Sequence, residues 1–189
     1  MLLVAGAAFG LVAGLLSGGS VGNLLARRLR WPLLVIGAFV IRELEARSPL
    51  GTSPLAPAAF VLSLVVLIGW TVWHRDELSG ILLVSAGMAL NLLATLANGG
   101  RMPVAAGAAH LGPPQLRQLG YWAGYVVVGP GTRLGWLGDW IVIPGPANRL
   151  FPQAYSAGDL VSLVGLIVVL FAATRPRHPR ERAGAITTR

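Results

Sequence analysis

Apolar residues occur along the chain in five runs that are separated by short polar stretches. The second run is the shortest and ends in the charged string RELEAR. A helix needs roughly 17 to 25 apolar residues to cross a hydrocarbon core of about 30 Å, so several runs lie near the lower limit. The pattern predicts five membrane-spanning helices near residues 2–23, 31–43, 58–73, 80–97 and 158–174.

The segment between the fourth and fifth runs, residues 104–157, is too apolar for an ordinary loop. It contains LGYWAGYVVVGPG and LGWLGDWIVIPGP, and each of these strings ends in Gly and Pro. Irregular backbone persists at membrane depth only where protein covers it or where it lines a wet cavity. We expect an outer-side re-entrant or interfacial element here, and whether residues 119–144 cross the membrane stays open.

Composition places the chain in the class of integral membrane proteins. Hydrophobic residues make up 54% of the 189 residues and charged residues only 12%, about half the charge of a soluble domain. The predicted fold is therefore an all-α membrane domain over residues 1–174. Cysteine is absent and no two histidines have ligand spacing, so we expect neither a metal nor a cofactor.

Arginine distribution predicts the orientation. All fifteen basic residues are arginine, and the net charge is +8. Placing Arg27, Arg28, Arg30, Arg75 and the tail 175–189 in the cytoplasm puts nine of the fifteen inside. The N-terminus then faces outward and the C-terminus inward. Because these charges flank membrane segments, we expect the basic tail to contact anionic lipid and expect no nucleic-acid binding.

A glycine recurs every fourth residue in the first run. Such a stripe winds around a helix and lets a second helix approach closely, as in other small-xxx-small contacts. We expect a helix-packing seam, with a substrate path along the same groove as the alternative. The stripe consists of Gly6, Gly10, Gly14, Gly18 and Gly22.

The polar residues that point to a binding site fall on the predicted outer side. Acidic residues are scarce, and Asp139 and Asp159 both follow a glycine there. Ionisable groups near membrane depth are costly and usually face a partner or a cavity. Arg133 or Arg149 could pair with Asp139, whereas Asp159 could simply cap the last helix. The candidate binding residues are Asn98, Arg101, Arg133, Asp139, Arg149 and Asp159.

Four strings keep one order along the chain: GGSVGNL (18–24), NGGRMPV (98–104), TRLGWLGDWIVIP (132–144) and YSAGDL (155–160). Together they resemble a family of small multi-pass bacterial integral membrane proteins known only as a domain of unknown function. The resemblance covers nearly the whole chain. It implies a protein of the bacterial inner membrane and no particular activity.

Three functions remain open from the sequence. The first is a non-enzymatic protein that binds or transports an ion, a small polar solute or a lipid headgroup. The second is an assembly subunit, or a homo-oligomer, that packs on a membrane partner through the glycine stripe. The third, least supported, is a lipid-active enzyme that uses Asp139 and Asp159 as acid and base. No recognised catalytic motif supports it, so an enzyme is not the expectation.

The arginine asymmetry makes a topology prediction that single cysteines can check, because the native chain has none. Cysteines at Ser53 and Ala106 should react with a membrane-impermeant maleimide added to intact cells. Cysteines at Ser79 and Ala185 should react only after the membrane is opened. The reverse labelling pattern would contradict the orientation.

Overall fold

The computed structural model describes residues 2–112, 114–150 and 153–176, and five long helices dominate it. They follow the predicted spans closely and are joined to shorter helices and strands. The long helices are α1 (Leu2–Leu16), α3 (Pro32–Arg47), α4 (Ala56–Trp73), α5 (Ile81–Ala97) and α7 (Ala157–Ala173). The short helices are α2 (Val21–Leu25) and α6 (Pro114–Leu119). The part of the basic tail from residue 177 onward lies outside the described residues.

The long helices form a row in which each packs on the next, in the order α1, α7, α5, α4, α3. Gly6 of α1 faces Leu163 and Gly14 faces Phe171, so α1 and α7 run parallel. Gly80 at the start of α5 faces Val168, whereas Gly87 faces Gly158, so α5 and α7 run antiparallel. The start of α1 and the start of α7 therefore lie at one end of the bundle, together with the end of α5.

Only one of the described helices, α4, is both long and apolar enough to cross a membrane. Three others, α1, α5 and α7, are apolar but contain only 15 to 17 residues. At 1.5 Å per residue these helices are about 22 to 26 Å long. To span a hydrocarbon core of about 30 Å, they would need either a locally thinner bilayer or flanking residues that extend the span.

The string NGGRMPV ends α5 and starts a strand. The N–H of Gly100 donates to the Thr95 carbonyl at 2.9 Å, and Gly99 and Gly100 have φ values of 67° and 83°. These left-handed conformations favour glycine. A Cβ on Gly100 would lie 2.8 Å from the Pro57 Cβ, so glycine also lets the chain pass close to α4. Met102–Val104 then forms β1.

The chain from 102 to 155, here called the cap, folds over the end of the bundle where α5 stops and α7 starts. Its strands are β1 (Met102–Val104), β2 (Tyr121–Trp122), β3 (Tyr125–Val127), β4 (Ile141–Val142) and β5 (Ala154–Tyr155). The first sheet has the order β1–β3–β2, with β1 and β3 parallel and in register at Met102 and Tyr125. Strands β4 and β5 pair antiparallel.

The cap is built from short strands and short helices, and nothing in the fold tests whether the re-entrant or interfacial element predicted at 104–157 enters a membrane. The first apolar string forms the hairpin β2–β3, and the second forms a 3₁₀ turn and β4. These strings are rich in β-branched and aromatic residues, which favour strands, and their Gly and Pro residues end each strand early. In the described part of 98–156 no helix is longer than six residues.

Helix α7 is held between α1 and α5 by contacts in which glycine replaces a side chain. A Cβ on Gly10 would lie 2.5 Å from the Ile167 carbonyl oxygen, and one on Gly165 would lie 2.6 Å from the Val84 nitrogen. Gly6 and Gly14 also face α7. Gly18 has open space around it, and Gly22 meets only the Ser20 hydroxyl at 3.7 Å. The close contact therefore involves the first three glycines of the stripe.

This geometry predicts that Gly10→Leu is strongly destabilising. The new side chain meets the backbone of α7, which cannot rotate away, and overpacking of this kind typically costs about 1–3 kcal/mol or more. Gly69→Leu is the matched control, since nothing lies within 4 Å of a Cβ there. Thermal unfolding in mild detergent should show a clear fall in Tm for Gly10→Leu alone. Equal Tm values would show that α1 and α7 do not pack as described.

Candidate functional site

The candidate site is a polar cluster beneath the cap, and Asp139 lies at its centre. The N–H of Asp139 donates to the Pro103 carbonyl at 2.8 Å, and its carbonyl accepts from the Ala105 N–H at 2.9 Å. The preceding residue, Gly138, is in contact with Pro103, where a Cβ would clash. These contacts hold the Asp139 backbone against β1 and turn its side chain into the protein.

The Asp139 side chain is largely buried, and no residue that the structure describes donates a hydrogen bond to its carboxyl. The residue is 9% exposed. Burial raises the pKa of Asp139 well above its ordinary range, the nearby negative charge of Asp159 raises it further, and Arg42 opposes both. Because burial without hydrogen-bond donors disfavours a charged group, the surroundings of Asp139 oppose its ionisation.

Arg42 of α3 is the cation that acts on this cluster. Its guanidinium lies 4.4 Å from the centre of the Phe60 ring, and its Nη2 donates a long hydrogen bond of 3.5 Å to the Tyr125 hydroxyl. Burial raises the pKa of the Tyr125 phenol, and Arg42 opposes that rise. Gly124 leaves room for the Phe60 ring, which packs edge-on against Tyr125 at 5.5 Å.

Asp159 lies in the same cluster but is fully hydrogen-bonded. Its carboxylate accepts from the Ser156 N–H at 3.0 Å and from the Asn91 amide at 2.9 Å. The Ser156 hydroxyl accepts from the Asp159 N–H at 2.9 Å and donates to the Asn91 side-chain oxygen at 2.8 Å. This is a capping box at the start of α7 that also ties α7 to α5.

Asn98 joins the cap to α5 at its surface. Its side-chain nitrogen donates to the carbonyls of Ala94 and Arg133, both at 2.7 Å, and its oxygen accepts from the Arg133 N–H at 2.9 Å. All of the main hydrogen-bonding positions of the amide are thus used within the chain. Asn98 could contact a ligand through its amide only if its hydrogen bonds to Arg133 or Ala94 were broken.

The predicted arginines do not surround Asp139. Arg133 and Arg149 are exposed on the cap, and within the described residues neither forms an ion pair with a carboxylate. Arg101 lies 4.9 Å from the centre of the Tyr121 ring, and its Nε is buried without a described partner. The expected pairing of Asp139 with Arg133 or Arg149 is therefore not formed among the described residues, and the cation whose charge influences Asp139 is Arg42.

The structure adds three residues that sequence reasoning missed: Arg42, Asn91 and Tyr125. In the sequence, Arg42 belongs to the charged end of the second apolar run, and Asn91 is a polar residue inside the fourth apolar run. Neither residue is the single polar residue of its helix, so no local signal in the sequence singles it out. In the described parts of the chain no group of three or more His, Cys, Asp or Glu side chains could hold a metal ion.

Comparison with known proteins identifies a family and no characterised relative. The model of the Family of unknown function (DUF5317) matches residues 27–171. No curated protein and no solved structure matches the chain.

Burial of Asp139 predicts how stability depends on pH. An acid whose pKa is raised by folding loses stability as pH rises from its unfolded pKa, near 4, toward its folded pKa, by at most about 1.4 kcal/mol per pH unit. Asp139→Asn resembles the neutral acid and should remove that loss. Tm should fall for the native chain as pH rises above about 5 and should fall less for Asp139→Asn. Parallel curves would show that the carboxyl is solvated.

Proposed function

The chain belongs to the Family of unknown function (DUF5317), and we propose that this member is a multi-pass membrane protein that binds or transports a small cation or cationic polar solute beneath its cap. The observation that carries the proposal is the largely buried Asp139 side chain, whose carboxyl receives no described hydrogen bond. A buried ionisable group in that state does not stabilise the fold. Binding of a ligand explains why it is there.

The helix surfaces support immersion in a membrane. Large apolar side chains on the long helices are exposed, among them Phe9 at 65%, Leu16 at 84%, Leu62 at 60% and Val164 at 53%. Apolar surface of this extent calls for a covering of lipid or protein. The cap lies at one end of the row of helices, and the arginines that follow α2 and α4 lie at the other. The positive-inside rule then places the cap outside.

Charge favours a cation over an anion or a phosphate headgroup at this site. When both Asp139 and Asp159 are ionised, Arg42 balances only one of the two negative charges. A proton or a monovalent cation would balance the other, and a protonated amine could do the same. An anionic headgroup would add to the negative charge in a site of low dielectric.

The other two functions have weaker support. A pair of catalytic carboxylates needs both groups free to exchange protons, whereas Asp159 is held by the Ser156 backbone and by Asn91. A subunit that docks through the glycine stripe needs an outward-facing seam, whereas Gly6, Gly10 and Gly14 face α7 of the same chain.

Cation-dependent stability tests the proposal. Purified protein would be unfolded thermally in sodium, potassium or choline chloride at equal ionic strength. A cation that binds only the folded state at 100 times its Kd adds about 2.7 kcal/mol of stability. We expect sodium or potassium to raise Tm above choline, more so at alkaline pH, because the proton and the cation compete for Asp139.

Asp139→Asn should abolish this cation effect, whereas Asp76→Asn should keep it. Asp76 is the matched control, since its side chain is 87% exposed and lies at the opposite end of the bundle. A cation effect that survives in Asp139→Asn, or that is absent from the native chain at every pH, would contradict the proposal.

A further inference from the structure

An apolar groove runs between α3 and α4 on the surface of the bundle. Its volume is about 200 Å³, and nothing lies within 4 Å of a Cβ at Gly37, one of the residues that line it. The hydroxyl of Ser63, also in the lining, donates to the Phe60 carbonyl at 2.7 Å and so offers no free donor. Other lining residues are Leu33, Ile41, Ala59, Leu62 and Val66.

The groove begins at the first turn of α3, next to a fixed cationic loop. The Arg30 carbonyl accepts from the Trp70 indole N–H at 2.9 Å, and the Arg30 N–H donates to His74 Nε2 at 2.9 Å. Both partners lie at the end of α4. The two hydrogen bonds therefore hold the backbone of the arginine loop against α4, at the mouth of the groove.

The side chains of this loop face outward. Arg28 and Arg30 are exposed and form no ion pair within the described chain. Trp31 is 71% exposed and Trp73 is 72% exposed. Exposed tryptophan beside exposed arginine is typical of the level at which lipid headgroups meet the hydrocarbon core. Trp31 caps α3 without a side-chain hydrogen bond, which leaves the positive end of that helix dipole open as well.

We propose that the α3–α4 groove and the arginine loop together bind one anionic diacyl phospholipid, with its phosphate at Arg28 and Arg30 and an acyl chain in the groove. The site lies at the end of the bundle opposite to the cap. It depends on the membrane insertion proposed above and is independent of the cation site.

Both halves of the site are needed to select this ligand. From Leu33 to Ile41 the groove follows α3 for about 12 Å, most of the thickness of one leaflet of a core of about 30 Å. Free phosphate would leave this apolar surface uncovered. A lipid without net charge carries a cationic group beside its phosphate, so its attraction to the two exposed arginines is weaker. Anionic phospholipid satisfies both because it combines an acyl chain with a net negative charge.

Native mass spectrometry tests the site with two named lipids, phosphatidylglycerol and phosphatidylcholine, added to the purified full chain in mild detergent. The native chain should retain one phosphatidylglycerol and several-fold less phosphatidylcholine. Arg28→Gln combined with Arg30→Gln should lower retention of phosphatidylglycerol several-fold. Arg149→Gln, an exposed arginine on the cap, should leave it unchanged.

The groove is tested by Gly37→Leu, which fills open space, with Gly69→Leu as its control because that position is also open. Gly37→Leu should lower the retention of both lipids. Gly69→Leu should leave the retention of both unchanged. If Gly37→Leu lowers Tm, the same measurement is made with the smaller substitution Gly37→Ala. Equal retention of the two lipids by the native chain would overturn the proposal. So would a loss of retention in the arginine or Gly37 variants that is no greater than in their controls. Either result would mean that the chain binds only non-specific surrounding lipid.

Flotation with vesicles separates this site from the membrane proposal. A chain that fails to float with phosphatidylglycerol or phosphatidylcholine vesicles contradicts membrane insertion itself and, with it, this site. If the chain floats with both kinds of vesicle but shows no selective retention of either lipid, only the phospholipid site is contradicted.

Discussion

Close approach of α7 to both of its neighbours is the constraint on which the arrangement depends. On one side Gly10 brings α1 to the backbone of Ile167, and on the other Gly165 brings α5 to the backbone of the same helix. Between apolar helices such contact gains dispersion energy over a long stretch, and in lipid it is the main driving force for packing. With α7 enclosed, α4 and then α3 extend the row, which leaves α3 packed along one side only.

Hydrogen bonds at the two ends of α7 prevent this helix from sliding. At the cap end, the capping box of Ser156 and Asp159 also bonds Asn91 of α5. At the other end, the Thr174 carbonyl accepts from the Ser20 N–H and from the Asn23 amide, both at 2.8 Å. Fixing α7 fixes the end of the bundle on which the cap rests, and thereby the position of Asp139 relative to Asp159.

The helices were predictable because their apolar runs are long and are broken by Gly, Pro and Arg. The starts and ends of four of them agree with the apolar runs to within a few residues; the exception is the first run, where the chain turns at Gly18 and continues as α2. The strands of the cap were not predictable, because segments of two or three residues show no periodicity. The proximity of Arg42 to this cluster was also hidden, because it depends on helix packing that no local pattern encodes.

Asp139 and Asp159 show why residue type and local sequence do not determine the role of a carboxylate. Both follow a glycine, and both lie in the same cluster. Asp159 lies in the first turn of a helix, where the Ser156 N–H and the Asn91 amide donate hydrogen bonds to its carboxylate. Asp139 follows a tight crossing over β1, where its own N–H is already bonded to Pro103 and the described residues supply no donor to its carboxyl. The fold therefore supplies hydrogen-bond donors to the carboxylate of Asp159 and none, among the described residues, to that of Asp139. This difference is the physical reason for proposing that a cation from outside the chain binds at Asp139.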